Sequence, residues 1–446
     1  MPMSNNPKIV MVGGGSYNWC PRLLSDLMQT PEMEGAEVAL LDPNLQAAEE
    51  VRAAGQAMAA ALNRTYRLWA TTDDAEAFRD ADFVLITIST GGLEAMAHDL
   101  AIPEKYGIFH TVGDTAGPGG WSRTLRNVPV FVRLAQQIER YAPRAVVLNY
   151  TNPLATLTGT IARVSGLRVV GLCHGVFENY GLLEKLLDVE EKDLAVRFGG
   201  VNHFFWFLDF AVKGQPGYPL LRERLAGKTL DEALREGSTD EIGFHSYHKL
   251  CDELYSEYGY LPYVGDRHTC EFLPGYLTPS LNSLERHKLV RTSVQERYGN
   301  RDRARQWALD LAGGKVAPSA RSRETAVDIM MAFLHGKPFT DVVNLPNVGQ
   351  IDNLPRGAEV ETLGLADGLG FRAIATGSLP PVLQQLVAPH CQVQLMVLEA
   401  ALKGDRKLAL EALMIDPLCA HLSPRQVRAM GMELMAATKG WLPQLS

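Results

Sequence analysis

Lys8-Ile9-Val10-Met11-Val12-Gly13-Gly14-Gly15-Ser16 is the stretch on which the fold turns. A short, mostly apolar run reads as a strand, and three glycines end it. A helical pattern follows, with Leu23, Leu24, Leu27 and Met28 on one face. Strand, glycine turn, helix is the context in which a glycine motif points to a dinucleotide. Gly13 permits the tight turn, and Gly15 lets backbone N–H groups approach a pyrophosphate at the helix N-terminus. Ser16 completes that cofactor turn. The last glycine of the usual G-x-G-x-x-G is absent, because Asn18 stands there.

The next strand, Val38 to Leu41, ends in Asp42. A carboxylate at this place accepts hydrogen bonds from the adenine ribose hydroxyls, although the interval is longer than the usual ~20 residues. Pro43 and Asn44 follow, with no arginine for a 2′-phosphate, so NAD is favoured over NADP. The alternative is a helix N-cap before Leu45. A helix over 46–63 leads to a strand near Leu68, and Phe83 to Ile88 forms the next. Helices over 121–141 and 155–164 alternate with strands over 145–148 and 167–172. Such alternation predicts an α/β fold: a Rossmann-type parallel sheet covered on both faces, occupying residues 1–196.

The chain has 446 residues, 46% hydrophobic and 21% charged, enough for two or three structural units. Its net charge of −8 gives no general attraction to nucleic acid or to an anionic membrane. The polar start, Met1 to Pro7, does not read as a signal peptide, and no apolar run reaches the roughly 20 residues of a membrane span. Six scattered cysteines read as reduced thiols, which places the protein in the cytoplasm. From 197 to 446 a mixed domain is expected, with strands near Phe204 to Val212 and largely helical structure after Asp240. Apolar faces at helical spacing mark 393–402, 407–414 and 424–437.

Ligands of such sheets bind beyond the carboxyl ends of the strands. Three segments fall there: Thr90-Gly91-Gly92, Asn149-Tyr150-Thr151-Asn152-Pro153 and Cys173-His174-Gly175. Thr90 is assigned to the cofactor. Cys173 by itself reads equally as a small buried residue, and His174 as a turn residue. Asn202 and His203 are unusual companions for the aromatic run Phe204-Phe205-Trp206, and need partners if buried.

With these segments in hand, the sequence resembles glycoside hydrolase family 4, from Lys8 to about Ala420. Further marks are Ile102-Pro103-Glu104-Lys105-Tyr106-Gly107, Gly113-Asp114-Thr115-Ala116-Gly117-Pro118-Gly119-Gly120 and Leu125-Arg126-Asn127-Val128-Pro129-Val130. Downstream stand Gly265-Asp266-Arg267-His268 with Glu271, and Asn347 to Pro355 with Val360-Glu361. The resemblance implies a fold related to lactate and malate dehydrogenases, and NAD- and metal-dependent glycosidase chemistry. It implies that Cys173 and His203 bind a divalent metal, commonly Mn²⁺, although thiolate and imidazole alone select zinc or a later transition metal. It also implies oxidation of the sugar at C3, deprotonation at C2, elimination of the aglycone, water addition and return of the hydride.

By the same resemblance Asp266 matches the position of the base; the other readings are an ion pair with Arg267 or a turn cap. His174 is an acid, a sugar ligand or a support, and Asp114 is a second acid candidate or an Asx turn. Asn152 binds a sugar hydroxyl or orients the nicotinamide side, and Asn202 and Arg267 are assigned to the substrate. Asp114-Thr115 with Cys173-His174-Gly175 looks like the α-galactosidase, α-glucosidase and α-uronidase branch. The loop Ser89 to Glu94 has no arginine, so an unphosphorylated glycoside is expected. Arg267 or Arg123 would meet a substrate carboxylate. Family members are dimers or tetramers. The competing readings are a hydroxy-acid or sugar dehydrogenase of the same fold and a non-catalytic dinucleotide sensor.

Overall fold

Six parallel strands stand in the order β3-β2-β1-β4-β5-β6, the doubly wound arrangement that binds dinucleotides. They are β1 (Lys8–Val12), β2 (Glu37–Leu41), β3 (Arg67–Thr71), β4 (Phe83–Ile86), β5 (Val146–Asn149) and β6 (Arg168–Gly171). The computed structural model describes residues 6–236 and 247–445. The start of the polar N-terminus, and the expected onset of helical structure at Asp240, lie outside those residues.

Alternate residues of each strand enter different cores. Ile9 and Met11 face one layer of helices and Val10 and Val12 the other. Burial on both faces explains why these strands read as unbroken apolar runs. The covering helices include Cys20–Met28, Leu45–Ala61, Gly117–Tyr141 and Leu154–Val164. The third of these begins four residues before the expected 121, because Gly117, Gly119 and Gly120 also join it.

The second half is mixed and, in the described residues after 247, largely helical as expected; its strands extend the same sheet. β7 (Leu194–Val201) and β8 (Phe204–Val212) form an antiparallel hairpin, edged by β9 (Gln215–Pro216) and β10 (Leu261–Pro262). The strands β11 (Phe339–Pro346), β12 (Glu359–Asp367) and β13 (Gly370–Ala373) interrupt that helical part and were not anticipated one by one. β11 and β12 slot between β6 and β7 and fuse both halves into one thirteen-stranded sheet. Their pattern was misleading because they bury polar residues, among them Asn344, Glu359 and Glu361. At the seams Asn344 pairs with Gly171 and Glu361 with Gly200, and Asn344 and Glu361 pair with each other. Position 196 lies inside β7, so the sheet is continuous through the expected domain boundary.

The C-terminal helices Pro381–Lys403, Arg406–Met414 and Pro424–Ala437 pack on the parallel half. The first is longer than its periodicity implied, since Pro389 inside it interrupts the pattern. All six cysteines are free, and no helix of the described residues is long and apolar enough to cross a membrane.

One buried ion pair fixes the loop beyond β4. The Arg126 guanidinium forks onto Asp99 through Nη1 at 2.9 Å and Nη2 at 2.5 Å, with both side chains fully buried. Its Nε donates to the Thr90 carbonyl at 2.9 Å, while Asn127 accepts from the Thr90 N–H at 3.2 Å. The run around Arg126 therefore clamps Thr90 from both sides. Asp99→Ala should cost about 3–5 kcal/mol in urea denaturation, because it strands a buried guanidinium. A loss below about 1 kcal/mol, the level of an exposed pair, would show that the clamp contributes little.

Candidate active site

A cavity of about 910 Å³ opens beyond the carboxyl ends of β1, β2 and β4. Gly13, Gly15, Ser16, Asp42 and Thr90 all line it, so the expected cofactor residues come together. Gly13 has φ +87°, and a Cβ there would lie 2.6 Å from the Thr87 carbonyl oxygen. At Gly15 the constraint differs from the expected one: a Cβ would stand 2.6 Å from that of Ala47, and its N–H is already committed to Asp42 at 2.9 Å. Asp42 also accepts from the Asn44 N–H, while Asn44, not Asp42, caps the helix that follows. Asp73 and Asp74 line the same end, Arg133 is paired to Asp74, and Trp441 returns from the C-terminus to meet Gly91.

The second constellation is Asp114, His203 and His268, whose ligand atoms lie within 4.8 Å of one another. Each comes from a different element: the loop before helix Gly117–Tyr141, the β7–β8 turn, and the short helix Asp266–Thr269. His203 has φ +64°, a left-handed backbone that costs a non-glycine residue roughly 1–2 kcal/mol. The two imidazoles lie with centroids 4.0 Å apart, tilted by 40°. Burial lowers His203 to about 4 despite the Asp114 carboxylate, and lowers His268 well below its usual range. Both rings are therefore neutral at pH 7, with lone pairs to offer. Burial opposes ionisation of Asp114, but His268, Arg123 and His203 beside it outweigh that and hold the carboxyl below its usual range. Thr115 Oγ1 donates to Asp114 at 2.7 Å and also meets His203 Nδ1 at 3.1 Å. Asn152 Nδ2 reaches the other Asp114 oxygen at 3.4 Å.

Cys173 stands outside this trio. Its thiol accepts from the Gly175 N–H at 3.3 Å, and burial first and Glu361 second push it well above its ordinary pKa. Asn202, adjacent to His203, donates to Glu361 at 3.0 Å. His174 lies at a more open edge, its side chain 48% exposed, with Nδ1 3.5 Å from Glu324 and its ring 6.2 Å from that of Trp19.

Asp266 is built in differently again. Its two oxygens accept from the Leu250 and Cys251 N–H groups at 2.9 Å, across the first turn of helix Lys249–Tyr258. Burial pushes it up to about 7, although those amides partly offset the rise. Arg267 gives Nε to the Val290 carbonyl at 2.8 Å and Nη2 to the Thr111 carbonyl at 3.3 Å.

A model described as family 4 glycosyl hydrolase matches residues 8–189, and that of the family's C-terminal domain matches residues 198–419. The chain belongs to glycosyl hydrolase family 4. An alpha-galacturonidase from Bacillus subtilis is 37% identical over 423 residues, covering 92% of this chain and 93% of that protein. The crystal structure of lplD from Bacillus subtilis superposes with a TM-score of 0.86 at 32% identity, covering 96% and 99% of the two chains. A 6-phospho-alpha-glucosidase from gut microorganisms, in complex with NAD and Mn²⁺, gives 0.84 at 22% identity, covering 99% and 100%; this is a likeness of fold.

The family 4 pattern of this glycosidase included His268 and Glu271, but spacing alone assigned neither a role. Glu271 is fully buried and accepts the N–H groups of Thr111, Val112 and Gly113 at 2.8–2.9 Å, with His110 Nδ1 at 3.1 Å. Gly119 donates to the other His110 nitrogen at 3.2 Å, so the His110 proton faces Glu271. The carboxylate thus sets the loop that delivers Asp114. Glu271→Ala should destabilise the fold by about 3 kcal/mol or more, through three stranded buried amides. Hydrogen exchange should quicken selectively at residues 111–113; unchanged exchange there would refute the role.

Proposed function

We propose that this enzyme hydrolyses an unphosphorylated α-uronide, an α-galacturonide, with NAD and a divalent metal, Mn²⁺. We place it in the cytoplasm as a homodimer or homotetramer. The observation that carries the chemistry is the trio Asp114, His203 and His268 on a sheet that also carries a dinucleotide-sized cavity. The alpha-galacturonidase relative supports the sugar. The acidic lining by Asp42, Asp73 and Asp74 favours NAD over a 2′-phosphorylated cofactor.

The donor set fits a divalent ion. His268 Nδ1 is buried without a hydrogen-bond partner among the described residues, and two neutral imidazoles with one carboxylate suit Mn²⁺ better than thiolate and imidazole alone. Cys173 can join only by shedding its proton. When bound, NAD⁺ supplies a hydride acceptor for C3 and the metal a Lewis acid for the neighbouring sugar oxygens.

Asp266, raised to about 7, has a proton affinity suited to a base at C2, but must release a helix N–H to take the proton. His174 at the open edge can protonate the departing oxygen. Asn152 steadies Asp114, and Asn202 Oδ1, unpartnered among the described residues, can accept a sugar hydroxyl.

With an aryl α-galacturonide and Mn²⁺, each NAD⁺ should support many turnovers. NADH accumulating one-for-one with product would indicate a dehydrogenase instead. His268→Ala should weaken Mn²⁺ binding about tenfold or more in calorimetry. Wild-type affinity in that variant, with loss in Cys173→Ser, would return the metal to Cys173 and His203.

A further inference from the structure

The position of a substrate carboxylate is legible in the arginines around Asp114. Arg123, Arg267 and Arg297 all act on that carboxylate. Burial depresses the pKa of each, and the Arg297 charge lowers Arg267 further. Arg267 ties the Val290 and Thr111 carbonyls together. Arg297, from the helix Val294–Ala312, gives Nη2 to the Val112 carbonyl at 2.8 Å, yet its Nε is buried with no acceptor among the described residues. The hydrogen bond that the Arg123 guanidinium makes among the described residues is Nε to the Asn152 carbonyl at 2.8 Å.

Among the described residues, the other anions near Arg123 and Arg297 are already engaged. Glu271 already accepts from three amides, His110 and the Thr111 hydroxyl. Glu296 turns back onto Ser293, whose N–H and hydroxyl it accepts at 2.7 Å. Among the described residues Asp114 remains to face the Arg123 and Arg297 guanidinium groups. A stranded guanidinium donor is costly when buried, and its forked N–H groups match a carboxylate in shape and charge.

We propose that Arg297, with Arg123 beside it, recognises the carboxylate of the sugar, so that the site selects glycosides carrying an anion on the ring. This inference rests on the uronide reading and assigns it to particular side chains. A neutral galactoside would leave the Arg297 donor unpaired.

The test is calorimetric titration of D-galacturonate and of D-galactose into enzyme supplied with NAD⁺ and Mn²⁺. Wild type should prefer galacturonate by about tenfold or more, the range of a charge-assisted hydrogen bond. Arg297→Met should abolish most of that preference by weakening galacturonate far more than galactose, and Arg297→Lys should recover part of it. Arg123→Gln gives a second reading if Arg297→Met does not fold. Equal weakening of both sugars, or a preference kept in both variants, would overturn the assignment. A wild type without preference for galacturonate would instead remove the uronide reading itself.

Discussion

The segment from His110 to Gly113 is held on both its polar edges, and the site depends on it. Glu271 takes the N–H groups of residues 111, 112 and 113, while Arg291, Arg267 and Arg297 donate to the carbonyls of 110, 111 and 112. A loop saturated in this way has little freedom left to move. It ends at Asp114, so the carboxylate of the proposed metal site is placed before any ligand arrives. Gly119 and Gly120 complete the arrangement, because a Cβ at either would strike the Gly113 or Thr115 backbone within 2.6 Å.

The other half of the site hangs from the seam of the sheet. Glu361 accepts from both Asn202 and Asn344, bridging the parallel strands to the β7–β8 hairpin directly beneath its turn. Burial raises Glu361 to about 7, and several oxygens of this cluster lack hydrogen-bond partners among the described residues. A buried polar junction of this kind is a poor source of stability. Its value is positional: it holds Asn202, and the tight turn then carries His203 in its left-handed conformation toward Asp114 and His268. Strain of that sort is kept where a side chain must be aimed.

The parallel half of the fold was legible because each strand is an apolar run and each turn carries glycine or a strand-end acid. Gly13, Gly15, Ser16, Asp42 and Thr90 could be found that way, and they meet in one cavity. The inserted strands were not legible, since the buried Asn344, Glu359 and Glu361 interrupt the apolar runs that mark a strand covered on both faces. At the site, Asp114 and His203 were found from their motifs. His268 has no comparable signal in sequence, because Asp266 and Arg267 beside it offer the more obvious chemistry. In the structure Asp266 accepts from the amides of Leu250 and Cys251 and Arg267 donates to loop carbonyls, while His268 joins Asp114 and His203. Arg297 left no sequence signal, being one basic residue among 43 on a strongly polar helix.

In the proposed reaction oxidation at C3 precedes bond cleavage, and C2–H becomes acidic only beside the resulting ketone. Displacement at C1 by paired carboxylates leaves that hydrogen untouched. The most direct measurement is therefore the isotope content of galacturonate released in D₂O with NAD⁺ and Mn²⁺ present, read by NMR or mass spectrometry. Deuterium at C2 of the product is the expected result. Product carrying only protium at C2 would contradict the elimination route.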